Sequence, residues 1–218
     1  MVRSEEGDTY LQVLRDKQYP FIQNILGLEI KVVDTVYPAG RISQWVAERL
    51  EELDYIKKGD KVLDYGCGCG FECIIAARMG AQVLGIDINP KAVEVTRTNS
   101  IVNGYGDSVK ARVGDAFDAV RVGERFDVII ASLPWEDGEV KDNFDRVFYD
   151  EGFSFRKALF GRAKEYLTEG GRIIFTYAER VQCVAPIESF CGDDYEVRNL
   201  VSGSVHDEEH YIFEITPK

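Results

Sequence analysis

The sequence lacks any long apolar run. No stretch of its 218 residues approaches the roughly 20 consecutive apolar residues that a membrane-spanning helix needs. The first residues, Met1–Asp8, are mostly polar and charged, without the apolar region that marks a secretory signal. Internal repeats and low-complexity segments are absent as well. These features predict a cytoplasmic protein that does not interact with membranes.

Cysteine is scarce, and its number is odd. The five cysteines are Cys67, Cys69, Cys73, Cys183 and Cys191, and without a secretory signal this count predicts reduced thiols. The first three follow the spacing C-x-C-x3-C, whereas metal sites usually contain C-x2-C pairs. We therefore expect small side chains that fill gaps between neighbouring glycines, and no bound metal ion.

Histidine is scarcer still, and both histidines lie in one short segment. His206 and His210 enclose three acidic residues in the order H-D-E-E-H. The zinc motif H-E-x-x-H needs a glutamate directly after the first histidine, and here the glutamate comes one place too late. We therefore expect a solvated acidic turn between two strands rather than a metal site.

Basic side chains are outnumbered by acidic ones. The chain has 26 Lys and Arg against 38 Asp and Glu, which gives a net charge of −12 at pH 7. A surface of this charge repels a phosphate backbone. The sequence therefore predicts poor affinity for nucleic acid by this chain alone.

Strand patterns and helix patterns alternate along the chain from residue 61 onward. The length and the 45% hydrophobic content suit one core. An extension over residues 1–55 is predicted to carry helices and a short strand or hairpin, with the strand at Leu28–Val33, and residues 56–218 form the main domain. The main domain is an α/β, doubly wound, Rossmann-like sheet with helices on both faces. Strands are predicted at Lys61–Asp64, Val83–Asp87, Val109–Val113, Phe126–Ala131 and Arg172–Thr176, with two more near Tyr195–Val201 and Tyr211–Ile215. Helices are predicted at Phe71–Met79, Pro90–Val102 and Phe153–Leu167, the last one ended by Gly170 and Gly171.

A glycine loop follows the first strand of this main domain. Its glycines fall at Gly66, Gly68 and Gly70, whereas the dinucleotide fingerprint G-x-G-x-x-G would need its third glycine at Phe71. The nicotinamide pattern is therefore broken. Glycines still let the backbone turn tightly and approach a ligand, and the N-terminus of the following helix attracts a carboxylate.

Acidic residues end the next two strands. Asp87 has the spacing at which a carboxylate meets ribose hydroxyls. Asp115 is placed to accept a hydrogen bond from an exocyclic adenine amine. The adjoining residues Ala116, Phe117 and Ile88 complete this region, with Phe117 and Ile88 as apolar walls for the ring.

These segments resemble the successive signature motifs of class I S-adenosylmethionine-dependent methyltransferases. The resemblance covers about residues 28–180 and rests on Val62–Gly70, Gly85–Pro90 and Gly114-Asp115. It implies a seven-stranded sheet with an antiparallel last strand and S-adenosylmethionine as cofactor. It also implies that Asp64 and the glycine loop contact the methionine part of the cofactor, Asp87 the ribose and Asp115 the adenine.

A further motif follows the fourth strand. The tetrapeptide Ser132-Leu133-Pro134-Trp135 resembles the Asn/Asp/Ser-Pro-Pro-aromatic motif of amino methyltransferases, which include release-factor glutamine methyltransferases and several base methyltransferases. By that resemblance Trp135 stacks on a planar acceptor, while the Ser132 hydroxyl and the Leu133 carbonyl orient its amino group. This sequence departs from the motif in two ways. Leu133 stands where the motif has its first proline, and the Ser132 side chain is shorter than that of asparagine or aspartate. The alternative interpretation is that Pro134 and Trp135 do not bind an acceptor and only cap the strand and cover the core.

The segment from Asn99 to Gly104 resembles the N-x3-NG sequence of the "small domain" group of these amino methyltransferases. The sequence therefore predicts N-methylation of a planar amide or base, on a protein glutamine, an RNA or DNA base, or a small amine. Two alternatives remain open. One is a cofactor-binding subunit that is inactive without a partner, and the other is an aminopropyl transferase that uses Asp137, Glu139 and Asp142 to hold a polyamine. The sequence does not indicate an oligomeric state.

Overall fold

A seven-stranded sheet organises the fold. The computed structural model describes residues 3–179, 181 and 185–218, so that Cys183 lies outside the described residues. The strands are β1 (Phe21–Ile25), β2 (Leu28–Val32), β3 (Lys61–Tyr65), β4 (Gln82–Asp87), β5 (Val109–Val113), β6 (Phe126–Ala131), β7 (Leu167–Ala178), β8 (Tyr195–Val205) and β9 (Glu208–Pro217). The helices are α1 (Glu5–Arg15), α2 (Arg41–Glu52), α3 (Phe71–Arg78), α4 (Pro90–Val102), α5 (Ser154–Arg162) and α6 (Glu188–Cys191).

The order of the strands places the loops that can form a site. The main sheet has the order β5-β4-β3-β6-β7-β9-β8, and its first five strands are parallel. Only β9 runs antiparallel to its neighbours on both sides. The carboxyl ends of the parallel strands therefore share one edge, and the first residues of β9 reach the same edge. The predicted seven-stranded, mostly parallel α/β fold is confirmed.

The strand and helix boundaries near β7 differ from the prediction. Helix α5 ends at Arg162, and β7 already begins at Leu167, so that Gly170 and Gly171 lie inside the strand and do not stop a helix. The pairing of β7 with β6 shifts between Phe126 and Val128. A Cβ on Gly171 would lie 2.9 Å from the Phe126 carbonyl oxygen. The glycines thus permit a bulge with close backbone contact, a role that glycine often has in strands.

The extension contains a two-stranded hairpin, whose first strand, β1, was not located from the sequence. Strand β1 pairs antiparallel with β2, and the two central turn residues, Leu26 and Gly27, both have positive φ. This backbone suits a two-residue hairpin turn, but leucine seldom adopts it, so the turn has a weak sequence signal.

Two asparagines of α4 fasten this hairpin to the main domain. The Asn99 side chain accepts from the Lys31 N–H at 3.0 Å and donates to the Lys31 carbonyl at 2.9 Å. The Asn103 side chain makes the same pair of bonds with Glu29. The two asparagines of the N-x3-NG segment therefore bond the free backbone N–H and C=O groups along the outer edge of β2, as a neighbouring strand would.

Helix α1 packs against the long loop that follows β6. Arg3 and Arg15 form ion pairs with the buried carboxylate of Asp145, at 2.8 and 3.1 Å, and Leu11 packs on Phe148 and Tyr149. None of the described helices is both long and apolar enough to cross a bilayer.

Gly70 allows a stability prediction that has a matched control. It is the N-cap residue of α3, with φ of 80°, and a Cβ there would lie 2.9 Å from the Thr96 Cα. Gly123 has φ of 87° and no atom within 4 Å of the same position. We expect Gly70→Ala to lower the free energy of unfolding by about 1–3 kcal/mol more than Gly123→Ala, because only Gly70 adds overpacking to backbone strain. Urea unfolding measures both, and equal losses would show that the approach of α3 to α4 tolerates a methyl group.

Candidate cofactor and acceptor site

A cavity of about 1480 Å³ opens at the carboxyl edge of the sheet. This exceeds the roughly 300–1,000 Å³ typical of a pocket for one small ligand, so there is room for a cofactor and part of a second molecule. Ten of the predicted site residues line it: Asp64, Gly66, Gly68, Asp87, Ile88, Asp115, Ala116, Ser132, Pro134 and Trp135. Helix α1 and the segment 35–43 form the opposite wall.

The glycine loop presents bare backbone to this cavity. Gly66 and Gly68 have positive φ, at 87° and 51°. A Cβ on Gly68 would meet no atom within 4 Å, whereas one on Gly66 would lie 3.2 Å from the Phe155 ring. Gly70 does not line the cavity, because its Cα faces Thr96 of α4. We therefore correct the prediction for Gly70, which permits helix packing rather than contact with a ligand.

Asp87 ties the end of β4 to the glycine loop. Its carboxylate accepts from the Gly68 N–H at 3.0 Å and from the Asn89 N–H at 2.8 Å. Burial raises the pKa of Asp87, and these two backbone donors oppose that rise. A carboxylate oxygen has lone pairs beyond the one used by each donor, so the group can also accept from ligand hydroxyls.

Asp64 lies deeper, at the end of β3. Only 3% of the residue is exposed, and the Cys73 thiol donates to its carboxylate at 3.1 Å. Burial, followed by repulsion from Glu72, raises the pKa of Asp64 well above its usual range. The cavity therefore has an acidic floor that a cationic ligand group would stabilise.

The raised pKa of Asp64 predicts how stability depends on pH. A carboxyl group that binds its proton more tightly when folded makes stability fall as pH rises above its unfolded pKa of about 3.9. In Asp64→Asn this contribution disappears. We expect the free energy of unfolding to drop between pH 5 and pH 8 by at least about 1 kcal/mol more in the unaltered protein than in Asp64→Asn. Urea unfolding at both pH values measures this difference, and parallel pH profiles would contradict it.

The region after β5 is divided between the cavity and the core. Asp115 is exposed, and Ala116 and Ile88 line the cavity beside it. Phe117 does not reach the cavity, because its side chain is fully buried and stacks on Tyr166, with ring centroids 4.3 Å apart. We therefore correct the prediction for Phe117, which belongs to the core.

The segment after β6 faces the cavity from the other side. Ser132 is exposed, and its hydroxyl donates to the Thr176 hydroxyl at 3.2 Å. The backbone N–H of Trp135 donates to the Phe148 carbonyl at 2.9 Å. Beneath the segment, the buried Arg156 guanidinium donates to the Pro134 carbonyl. The loop is thus held on both sides, with Ser132 and Trp135 directed towards one space.

Several cavity residues were missed or misplaced from the sequence. Tyr10 of α1 and Tyr37 line the cavity with ring centroids 6.1 Å apart. His206 and Asp207 form an exposed turn, as expected for a solvated segment, but His210 is only 1% exposed and lines the cavity. The solvated-turn prediction is therefore wrong for His210, which points inward from β9.

The acidic residues considered for polyamine binding lie outside the cavity. Asp137, Glu139 and Asp142 are not among the residues that line the cavity, and Asp142 pairs with Arg15 at 2.9 Å. Within the described ranges, no group of three or more His, Cys, Asp or Glu residues is arranged to hold a metal ion.

A seven-stranded sheet of this order, with a glycine loop and acids along one edge, defines a Rossmann-like class I methyltransferase. The family model described as "Methyltransferase domain" matches residues 56–216. The chain therefore belongs to the methyltransferase domain family, and class I members of this family use S-adenosylmethionine.

Individual relatives support this assignment. A tRNA (guanine(10)-N2)-dimethyltransferase of Methanothermobacter thermautotrophicus is 31% identical over 78% of this chain and 47% of its own length. A ribosomal protein L11 methyltransferase of Laribacter hongkongensis is 43% identical over 34% of this chain and 24% of its own. The chain thus spans less than half the length of these two curated relatives.

A solved structure shares the fold. The T. thermophilus 16S rRNA N2 G1207 methyltransferase RsmC, in complex with AdoMet and guanosine, superposes with a TM-score of 0.66. The alignment covers 91% of this chain and 50% of that one at 22% identity. At this identity the likeness concerns the fold alone.

Proposed function

We propose that this methyltransferase acts on nitrogen, at the amino group of a planar acceptor such as a nucleobase or a side-chain amide. One observation carries the proposal. Ser132 and Trp135 line the same cavity as Gly68 and Asp87, so the acceptor motif and the cofactor loop face one shared space.

The chain's residues fit the cofactor in this cavity. The open backbone at Gly68 admits a ligand, Asp87 can bind ribose hydroxyls, and the N-terminus of α3 together with the acidic floor at Asp64 suits an amino acid zwitterion. Asp115, Ala116 and Ile88 would border the adenine. When bound, S-adenosylmethionine supplies an electrophilic methyl group, and the acceptor's lone pair forms the new bond as the methyl–sulfur electron pair returns to sulfur.

The acceptor residues would act by alignment. Trp135 offers an aromatic face for a planar group, and the Ser132 hydroxyl, already donating to Thr176, has lone pairs for an acceptor N–H. Fixing the nitrogen in line with the methyl group reduces the entropic part of the barrier. Helix α1 covers the far wall and excludes water.

The class of acceptor follows from the cavity and the charge. A cavity walled by α1 admits a single base or side chain rather than a duplex, and a net charge of −12 disfavours a bare polynucleotide. The two curated relatives act on a tRNA guanine N2 and on a ribosomal protein. The first of these acceptors is an amino nitrogen of a base, which supports methylation on nitrogen, and the second keeps a protein side chain among the possible acceptors.

The experiment uses methyl-labelled S-adenosylmethionine with defined acceptors. Guanosine, a total tRNA pool, a glutamine-containing peptide and a primary alkylamine are incubated separately with the purified chain. We expect label on nitrogen in a planar acceptor and none in the alkylamine. Label on the alkylamine alone, or on a hydroxyl oxygen, would refute the proposal.

A second candidate is a catalytic subunit that needs a partner to deliver its acceptor. The net charge of −12 and the two departures from the amino methyltransferase motif, at Ser132 and Leu133, favour it. Cofactor binding without transfer to any of the four acceptors, followed by transfer after addition of cell extract, would support it. Transfer by the purified chain alone would exclude it.

A further inference from the structure

His210 is brought to the acceptor side of the cavity by the reversed direction of β9. It is the third residue of this strand and pairs with Ala178 of β7 and Gly203 of β8. Since β9 begins where β6 and β7 end, the histidine lies at the same edge as Ser132 and Thr176. All three residues line the cavity.

The histidine ring is buried and has one unused nitrogen. The His210 Nδ1 atom lies 3.0 Å from the Glu208 carbonyl oxygen. A carbonyl only accepts, so Nδ1 carries the proton, and in the neutral ring the Nε2 atom keeps its lone pair. Nε2 is buried and has no hydrogen-bond partner among residues 3–179, 181 and 185–218. A buried polar atom of this kind usually has a partner, which points to a ligand group.

The surroundings of the ring match an acceptor site. The Trp135 ring lies edge-on, with centroids 5.9 Å apart and an interplanar angle of 90°, and Trp45 packs at 6.5 Å. The Glu208 carboxylate oxygen is 3.9 Å from Nε2, too far for a hydrogen bond but near enough to stabilise a positive ring. An acceptor group that contacts Trp135 would therefore lie beside the His210 ring.

We propose that His210 contacts the methyl acceptor, with Nε2 accepting a hydrogen bond from the acceptor amino group and then taking its surplus proton. This rests on the proposed N-methylation. The acceptor nitrogen gives its lone pair to the methyl carbon and gains a positive charge. The N–H bond then breaks, its electron pair stays on nitrogen, and the proton bonds to Nε2, so the charge moves to an imidazolium beside Glu208.

The tautomer can be observed directly, without any acceptor. The chain has only two histidines, so ¹⁵N-labelled imidazole signals of the protein bound to S-adenosylmethionine are assigned with His206→Gln. We expect His210 to show a protonated Nδ1 and an unprotonated Nε2 in the neutral ring. A neutral ring with its proton on Nε2 would overturn the proposal.

Kinetics separate proton transfer from packing. The acceptor is whichever of guanosine, tRNA, peptide or extract fraction the unaltered chain labels. In His210→Gln the amide can still meet an acceptor N–H but cannot take a proton, so we expect kcat to fall at least about 100-fold with KM changed less than about fivefold. His210→Asn, whose amide is too short, should raise KM as well. An unchanged kcat in His210→Gln would refute the assignment.

The matched control is Glu209→Gln, on the adjoining position of β9 and outside the cavity lining. It should keep kcat and KM. Calorimetry should give the same S-adenosylmethionine affinity for all three variants, which shows that the fold and cofactor site are intact. Failure of the unaltered chain to bind the cofactor or to label nitrogen would refute the proposed function, whereas full activity of His210→Gln would refute only the role of His210.

Discussion

Asp87→Ala is expected to abolish measurable S-adenosylmethionine binding. The carboxylate holds the Gly68 and Asn89 N–H groups at 3.0 and 2.8 Å and would also accept from two ribose hydroxyls. Hydrogen bonds to a charged group contribute about 1.5–3 kcal/mol each. Loss of two of them to the ligand weakens binding at least about 100-fold, and release of the glycine loop adds to the loss. Isothermal titration calorimetry measures this change.

Two variants control that experiment. Asp87→Asn keeps the shape and one acceptor oxygen, so its affinity should lie between those of the unaltered protein and Asp87→Ala. Asp107→Asn, in an exposed turn outside the cavity lining, should leave binding unchanged. If Asp87→Ala kept its fold by circular dichroism and bound the cofactor within about threefold of normal, the ribose assignment would be wrong.

Trp135→Ala is expected to keep the cofactor and lose turnover. Its ring lines the cavity and packs against His210 on the proposed acceptor side. Removal of the ring takes away the stacking face, so the acceptor nitrogen is no longer held in line with the methyl group, and misplacement of this kind costs about 100-fold in rate. We expect S-adenosylmethionine affinity within about twofold of normal. Steady-state kinetics and calorimetry on one preparation measure both quantities.

The substitution Trp135→Phe tests whether the aromatic face itself matters. It should restore most of kcat, because phenylalanine offers a smaller but similar surface for stacking. Equal activity of Trp135→Ala and the unaltered protein would show that Trp135 only seals the core. A loss of cofactor affinity in Trp135→Ala would show instead that the two sides of the cavity are not separate.

The residues on the strand ends were accessible from sequence because parallel strands impose a simple geometry. Asp64, Asp87 and Asp115 each lie at or just beyond the end of a predicted parallel strand, and the carboxyl ends of such strands share an edge. Their appearance around one cavity follows from the strand order β5-β4-β3-β6. Ser132 and Trp135 follow β6 and reach the cavity for the same reason.

What the sequence could not predict depends on contacts between distant segments. Helix α1 closes the cavity because Arg3 pairs with Asp145, 142 positions away, and no periodic pattern records such a pair. Gly70 and Phe117 look like ligand residues from spacing alone, but packing against Thr96 and Tyr166 turns them away. His210 was missed because a polar segment reads as a solvated turn until the direction of β9 is known.

A crystal structure of the chain with S-adenosylmethionine tests the central claim most directly. We predict the ribose hydroxyls on the Asp87 carboxylate, the amino acid end beside Gly66 and Gly68, and the sulfonium methyl group directed at the space between Ser132 and Trp135. A cofactor bound elsewhere, or bound here with its methyl group turned away from Trp135, would contradict the account.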